Sequence, residues 1–362
     1  MVGYSWDDLA GLSLARQFPQ APSEVAAMID RIGPVQSQTA RSPFLALAAR
    51  FPGTTRDAIT AAYDSGAIVR GSTVRGTVHT ATPSQYVVLG AATRVGQRTL
   101  WQRLLRLERS SLEDLWADTE AFAAGWRSTH DLQVHLHDWL MSHEGRDEIT
   151  HQQVGRHLAF GHGGLVRRPV NGDWAGQGAA EYATLPAVVD ASISDALELH
   201  VRRHGPSSRH DLAWWSGLGL RVVDAHLDRL PLVGVVGPDG RTYLDLPGPA
   251  PARSVEGVRL LPEFDALMCG YEPAGRERFA DPAHLARLWN GANGLVLPPL
   301  MVDGRLTGFW RATGTAKRRP LDVVWFARTR RPRAAELEAP VAALETALGI
   351  SITGVSITRE SV

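Results

Sequence analysis

The chain has 362 residues, no formal net charge, and 44% hydrophobic against 21% charged residues, a balance that excludes a disordered chain and predicts two or three domains or one elongated multi-module unit. No apolar run approaches the roughly 18 residues needed to span a bilayer, and two aspartates sit in the opening MVGYSWDDLAGLSLARQF where a secretory signal would carry positive charge; a soluble, cytoplasmic protein without a membrane partner is expected. The single Cys269 excludes an internal disulfide and any zinc site of paired cysteines, and the thirteen histidines, His135/His137 and His157/His162 included, fall at no recognised ligand spacing, so neither metal nor cofactor is expected.

In chain order, the segment after Thr54 opens on a capping residue, runs apolar through Ala58, Ile59, Ala62 and Tyr63, and stops at Ser65-Gly66, the signature of a helix. A two-stranded ribbon follows, Ala67 to Arg70 and Val74 to Thr80 about a Gly71-Ser72 turn, with Arg75, Thr77 and His79 alternating onto one strand face. After Ser128 the order recurs as helix, turn, helix and a strand carrying Arg167-Arg168, with a loop at Asn171-Gly172-Asp173. A third copy begins at Gly205, with a capped helix from about Ser208, a break at Gly217/Gly219, a second helix to Leu230 and a hairpin on Pro238-Asp239-Gly240.

Helix, turn, helix and ribbon is the winged helix-turn-helix arrangement, which places its second helix in the DNA major groove. Such units also serve as protein-interaction modules, but three copies with basic wings favour DNA. The predicted organisation is an α+β chain of three tandem winged modules, 1–127 with extra N-terminal helices, 128–190 and 191–247. A proline-rich linker over 246–254 then leads to a C-terminal α+β region over 255–362. There a strand follows Gly257, a helix follows Ala280, a hairpin turns at Asp303-Gly304, and a helix from Ala334 to Leu348 precedes a terminal strand.

Of 38 basic residues only Lys317 is a lysine. Arginine is the two-pronged donor suited to phosphate and guanine, but a GC-rich coding sequence accounts for most of that bias, so location must decide. No nucleotide-binding loop and no nucleophile elbow is present.

Between the first helices stands RIGPVQSQTARSPFLALAARF. Taken alone, Gln36 and Gln38 are best explained as caps for the helix that starts near Ser42-Pro43, or as partners for loop backbone groups. Here, however, the chain resembles the AlkZ family of winged-helix DNA glycosylases, related to YcaQ, whose signature is a Gln-x-Gln pair. The segments RGTVHTATPSQY at 75–86, GPSSRHDLAWWSGL at 205–218, LLPEFDALMCGY at 260–271 and NGLVLPPLMVDGRLTGFWR at 293–311 are similar to that family's in the same order. The middle position, Ser37, departs from the apolar residue usual there. The resemblance implies a concave DNA-binding surface and no cofactor. It also implies excision of N-alkylated purines from double-stranded DNA, in some members including interstrand crosslinks of a genotoxic natural product, by a monomer in repair or self-resistance.

An amide does not titrate near neutral pH, so Gln36 and Gln38 suit a purine alkylated at N7 or N3, which is already cationic and leaves without protonation. In extended backbone the two side chains can converge on one water; in a regular helix they would diverge by about 200 degrees. Arg41, Arg70, Arg75, Arg167, Arg168 and the run Lys317-Arg318-Arg319 are the phosphate candidates, Arg75, Thr77 and His79 could meet phosphate or the extruded nucleotide, and Asp265 and Tyr271 are candidate neighbours of the site, with a buried turn-forming role the stronger reading of Asp265. Trp214-Trp215 is expected in the third module's core. The absence of lysine before Lys317 implies a monofunctional glycosylase, since Schiff-base chemistry needs an amine. The alternative is a non-enzymatic winged-helix regulator.

Overall fold

The computed structural model describes residues 3–152, 157–185, 190–248, 252–291, 294–314 and 316–360. Its helix starts are set locally. Ser5, Thr82, Ser111, Ser128, Ser192 and Ser208 each lie three residues before an Asp or Gln, and each forms a reciprocal capping box with it. These boxes open Trp6–Gln17, Pro83–Leu105, Leu112–Phe122, Thr129–Glu144, Ile193–His204 and Arg209–Ser216. The expected helix after Thr54 runs Arg56–Asp64, capped by Thr55. No helix among the described residues is long and apolar enough to cross a membrane.

Six strands, β1 (Val35–Gln36), β2 (Val69–Ser72), β3 (Val78–Ala81), β4 (Arg127–Ser128), β5 (Leu165–Pro169) and β6 (Ala180–Thr184), form one sheet in the order β1-β3-β2-β5-β6-β4. The ribbons expected in separate modules therefore join edge to edge where Gly71 meets Val166. The expected turn at Gly71-Ser72 is corrected: both residues belong to β2. Gly71 serves close approach instead, since a Cβ there would lie 2.1 Å from the Tyr86 hydroxyl and 2.6 Å from the Leu165 carbonyl oxygen.

In the second unit, the helix expected before the Arg167-Arg168 strand falls partly on 153–156, outside the described residues. In the third, Arg209–Ser216 ends at left-handed Gly217, Leu220–Leu227 follows, and Val233–Val236 pairs with Thr242–Asp245. The C-terminal region is a five-stranded sheet of Val258–Leu260, Pro299–Val302, Arg305–Ala312, Arg318–Phe326 and Ser351–Glu360. Its last two strands are parallel and are bridged by the helix Ala334–Leu348, which has the limits expected from the sequence.

That sheet does not stand apart from the N-terminal helices. Ile29, Phe44, Leu45 and Leu47 share one buried cluster with Val258, Leu300, Trp310, Leu321, Val323 and Leu344. A fully buried fork seals the contact: Arg50 Nη1 and Nη2 bond Asp265 Oδ2 and Oδ1 at 2.9 and 3.0 Å. Of the proline-rich 246–254, residues 249–251 lie outside the described set; Arg253 packs back on the first helix, its amide bonding the Gly11 carbonyl at 3.0 Å.

Phe44 is wholly buried in the shared cluster, so Phe44→Ala should cost about 3–5 kcal/mol. Urea unfolding followed by tryptophan fluorescence and by far-UV circular dichroism should give one coincident, shifted transition. Separate transitions for the two halves would contradict a common core.

Candidate active site

Gly33, at φ +85°, ends the helix Val25–Ile32 and turns the chain into β1. Val35 pairs with Thr80 and Gln36 with His79, and the pairing runs on as Ser37 donates its amide to the Val78 carbonyl at 2.7 Å. Extended backbone alternates its side chains. Ser37 turns inward, its hydroxyl 2.9 Å from the Val35 carbonyl and 2.8 Å from Thr80 Oγ1. Ser37 is thus buried with its polar group satisfied. The glutamines take the other direction, Gln36 buried and Gln38 exposed. Neither caps the helix Ser42–Arg50, whose cap position is Arg41 with no side-chain cap bond. Gln36 Oε1 accepts from Arg75 Nη2 at 2.8 Å, and Gln38 Oε1 accepts from the Val78 amide at 3.3 Å. A carbonyl oxygen has two lone pairs, so each amide keeps one for a ligand.

Gln38 opens onto a cleft of about 210 Å³ lined by Ser37, Arg70, Val78, Arg167, Arg168 and Trp174 with the glycine-rich stretch 176–179. Three of the sequence-predicted arginines meet here in different states. Arg70 is buried; its guanidinium donates to the carbonyls of Trp174 and Ala40 at 2.9 and 3.0 Å and to the Tyr63 hydroxyl at 2.9 Å, and lies 4.9 Å from the Tyr63 ring centroid. Tyr63 and Trp174 stack at 4.2 Å. Arg70 therefore lies at the floor of the cleft with its guanidinium turned to these interior acceptors. Arg167 is half-buried beside Tyr182, and Arg168 is exposed, bonded to Glu181 at 2.9 Å and stacked over the exposed Trp126 at 4.2 Å. Both line the cleft.

The expected common strand face of Arg75, Thr77 and His79 is corrected. Residues 74–76 form a tight turn with Arg75 at φ 58° and Gly76 at φ 69°, so Arg75 sits on the turn rather than on a strand. Thr77 bonds the Val74 carbonyl at 3.0 Å. His79 is buried, its Nδ1 2.7 Å from Thr73 Oγ1 and 3.2 Å from the Thr77 carbonyl. Burial, and then the Arg75 charge, push its pKa down to about 3. At neutral pH His79 is an uncharged imidazole and supplies no acidic proton.

The remaining candidates do not line this cleft. Arg41 pairs with Glu263. Asp265 is the buried partner of Arg50 and caps the helix Ala266–Cys269, and Tyr271 is buried with its hydroxyl donating to the His204 carbonyl at 2.6 Å. Lys317, Arg318 and Arg319 stand at the start of the strand Arg318–Phe326 in the C-terminal sheet. Trp215 enters the core as expected, but Trp214 is half-buried with the Arg75 and Arg276 guanidiniums at 4.8 and 4.7 Å from its ring, which corrects its expected burial. Tyr63, Thr80 and Trp174 were not anticipated; only the helical spacing of Tyr63 marked any of them. Among the described residues no group of three His, Cys, Asp or Glu side chains could hold a metal ion.

A model of the family described as "AlkZ-like: DNA glycosylase AlkZ-like" matches residues 29–347. Among solved structures, Streptomyces sahachiroi DNA glycosylase AlkZ is similar with a TM-score of 0.80 and 20% sequence identity, over 98% of this chain and 100% of that one. No curated protein matches.

Two outcomes follow from these environments. Ser37→Ala removes both buried hydroxyl contacts, to the Val35 carbonyl and to Thr80 Oγ1, while Thr80 keeps Tyr63 at 2.6 Å, so it should cost about 1–3 kcal/mol, and Ser37→Leu about 1–3 kcal/mol by overpacking; equal stability of all three forms by urea titration would contradict the packing. The second concerns acid. His79 and His200 both have folded pKa values of about 3 against an ordinary 6.5, so the unfolded chain binds more protons below pH 6.5. Stability present above that pH is lost as pH falls, by about 2 kcal/mol per histidine at pH 5. The melting temperature should fall steeply between pH 6.5 and 5; an unchanged value would show that these rings are not buried neutral.

Proposed function

The chain belongs to the AlkZ-like family of DNA glycosylases, and from that premise we propose that it hydrolyses the N-glycosidic bond of N7- or N3-alkylated, cationic purines, with Gln36 and Gln38 as the catalytic pair. The observation that carries this reading is the make-up of the cleft: its described lining holds arginines and amides but no carboxylate, lysine or histidine, and the neighbouring His79 is held neutral. Such a site has no group to protonate a leaving base. A purine alkylated at N7 or N3 needs none, because it departs neutral from a cationic ground state.

What remains is to stabilise the sugar as it gains oxocarbenium character and to aim a water at it. Two carbonyl oxygens, each fixed by a donor and each with a lone pair left, suit both tasks without titrating. Gln38, exposed at the mouth, would hold the water; Gln36, two residues before it, buried and not among the residues that line the cleft, would face the developing charge. Arg167 and Arg168 would meet the flanking phosphates, and the three helix–turn–helix–ribbon units over 1–127, 128–190 and 191–247 would form the DNA-binding face. With no lysine before Lys317 the product would be a free base and an unbroken abasic strand. The same chemistry extends to a crosslink joining two purines through N7, since each attachment carries its own positive charge.

On a duplex holding one 7-methylguanine, Gln36→Ala and Gln38→Ala should each lower the single-turnover rate by about 100-fold with DNA affinity unchanged. The wild-type rate should be flat from about pH 6 to 9, because the described cleft lining holds no carboxylate, lysine or histidine and His79 is held neutral. No base release by the wild type, beside unaltered DNA binding by the double variant, would sink the reading; an inflection near neutrality would implicate a proton donor that the cleft lacks.

A further inference from the structure

Arg75 is an unusual residue by three independent measures. Its backbone is left-handed, φ 58° and ψ 14°, at a position where a side chain disfavours that conformation. Its guanidinium is half-buried, yet it forms no ion pair among the described residues; it donates to the Trp215 carbonyl and to Gln36 Oε1 and lies over the Trp214 ring. Trp214 is in turn backed by Arg276, itself buried, whose guanidinium lies 4.7 Å from that ring and 4.3 Å from the ring of Trp289. A chain of alternating cations and rings, Trp289, Arg276, Trp214 and Arg75, thus ends on the amide of Gln36. Strain and a charge without a carboxylate are both unfavourable, and such features persist where function uses them.

The chemistry of the contact says what that use is. The two ends of a glutamine amide have nearly the same shape but opposite hydrogen-bonding character. A guanidinium has donors only, so it accepts one orientation of its partner and rejects the other. We propose that Arg75 is the positioning residue of the site, whose bond to Gln36 Oε1 fixes which end of the Gln36 amide and which remaining lone pair are presented to the substrate. This assigns Arg75 to the glutamine rather than to a DNA phosphate, and it rests on the reading of Gln36 as catalytic.

Two measurements test it. In the free protein labelled with ¹⁵N at its glutamine side chains, the Gln36 NH₂ pair is identified by its loss in Gln36→Ala. Arg75→Ala should move that pair and leave the Gln38 pair in place; an unmoved Gln36 pair overturns the proposal whether or not the protein cleaves any substrate. On the 7-methylguanine duplex, Arg75→Ala should lower the single-turnover rate by about 30-fold with the dissociation constant within about twofold of wild type, and Gln36→Ala/Arg75→Ala should be no slower than Gln36→Ala alone. Losses that multiply, or weaker DNA binding at an unchanged rate, overturn it in favour of a phosphate contact. If Arg75→Ala does not fold, Arg75→Lys, which keeps the charge and stem but not the fork, should give an intermediate rate and a smaller displacement of the same resonance; wild-type values for both would overturn the proposal. An inactive wild type would sink the catalytic reading of Gln36 and leave the spectrum to decide the Arg75 contact.

Discussion

Val35 and Gln36 pair with Thr80 and His79 over two residues only, yet this pairing decides where both glutamines stand. A pairing so short, at the edge of a six-stranded sheet, could not hold itself. It is held from its inner side by a closed set of polar contacts: Ser37 to Thr80, Thr80 to Tyr63, Tyr63 to Arg70, and Arg70 onward to the carbonyls of Ala40 and Trp174. A fully satisfied buried network of this kind specifies one geometry. Because Arg70 grips Ala40 just past Gln38, the same network sets the direction of the chain on both sides of the motif.

A second hub ties this local arrangement to the whole molecule. Gln17, on the first helix, donates through Nε2 to the carbonyls of Ile32 and Arg203 and accepts from Arg50, whose fork holds Asp265. Ile32 is the last residue of the helix that delivers β1. The entry to the glutamine strand, the helix Ile193–His204 and the C-terminal region thus share one buried set of hydrogen bonds, beside the apolar cluster that joins Phe44 to the C-terminal sheet. The strand that carries the glutamines is consequently anchored by segments far apart along the chain.

The parts of this architecture legible in the amino-acid sequence are those that depend on neighbours. Ser128 and Ser208 mark their helices because a cap acts within three residues, and the helix Ala334–Leu348 lies between Pro332 and the left-handed Gly349. The ribbon turn was misplaced for the opposite reason. Gly71 looks like a turn residue, but its missing side chain answers to Leu165 on another ribbon, while the actual turn uses Arg75, which local preference would exclude. Arg70 and Arg168 are alike as letters; one is buried against the stacked rings of Tyr63 and Trp174, and the other is exposed and bonded to Glu181. The glutamine pair was recognisable as a pattern, whereas its partners Arg75 and the Val78 amide come from a turn and a strand that only the folded sheet brings alongside.

The neutral imidazole of His79 and the proton-poor lining of the cleft carry a consequence for intact genomes. Ordinary guanine and adenine are poor leaving groups and depart readily only after taking up a proton. Under the proposed chemistry, a pocket that has none to give would admit such a base, by accident or during scanning, and still return it unharmed. Discrimination would then rest less on a tight fit around one lesion than on the instability that the lesion brings with it. A roomy pocket and a low rate of mistaken excision would be compatible, and bulky adducts of diverse shape could share one fold.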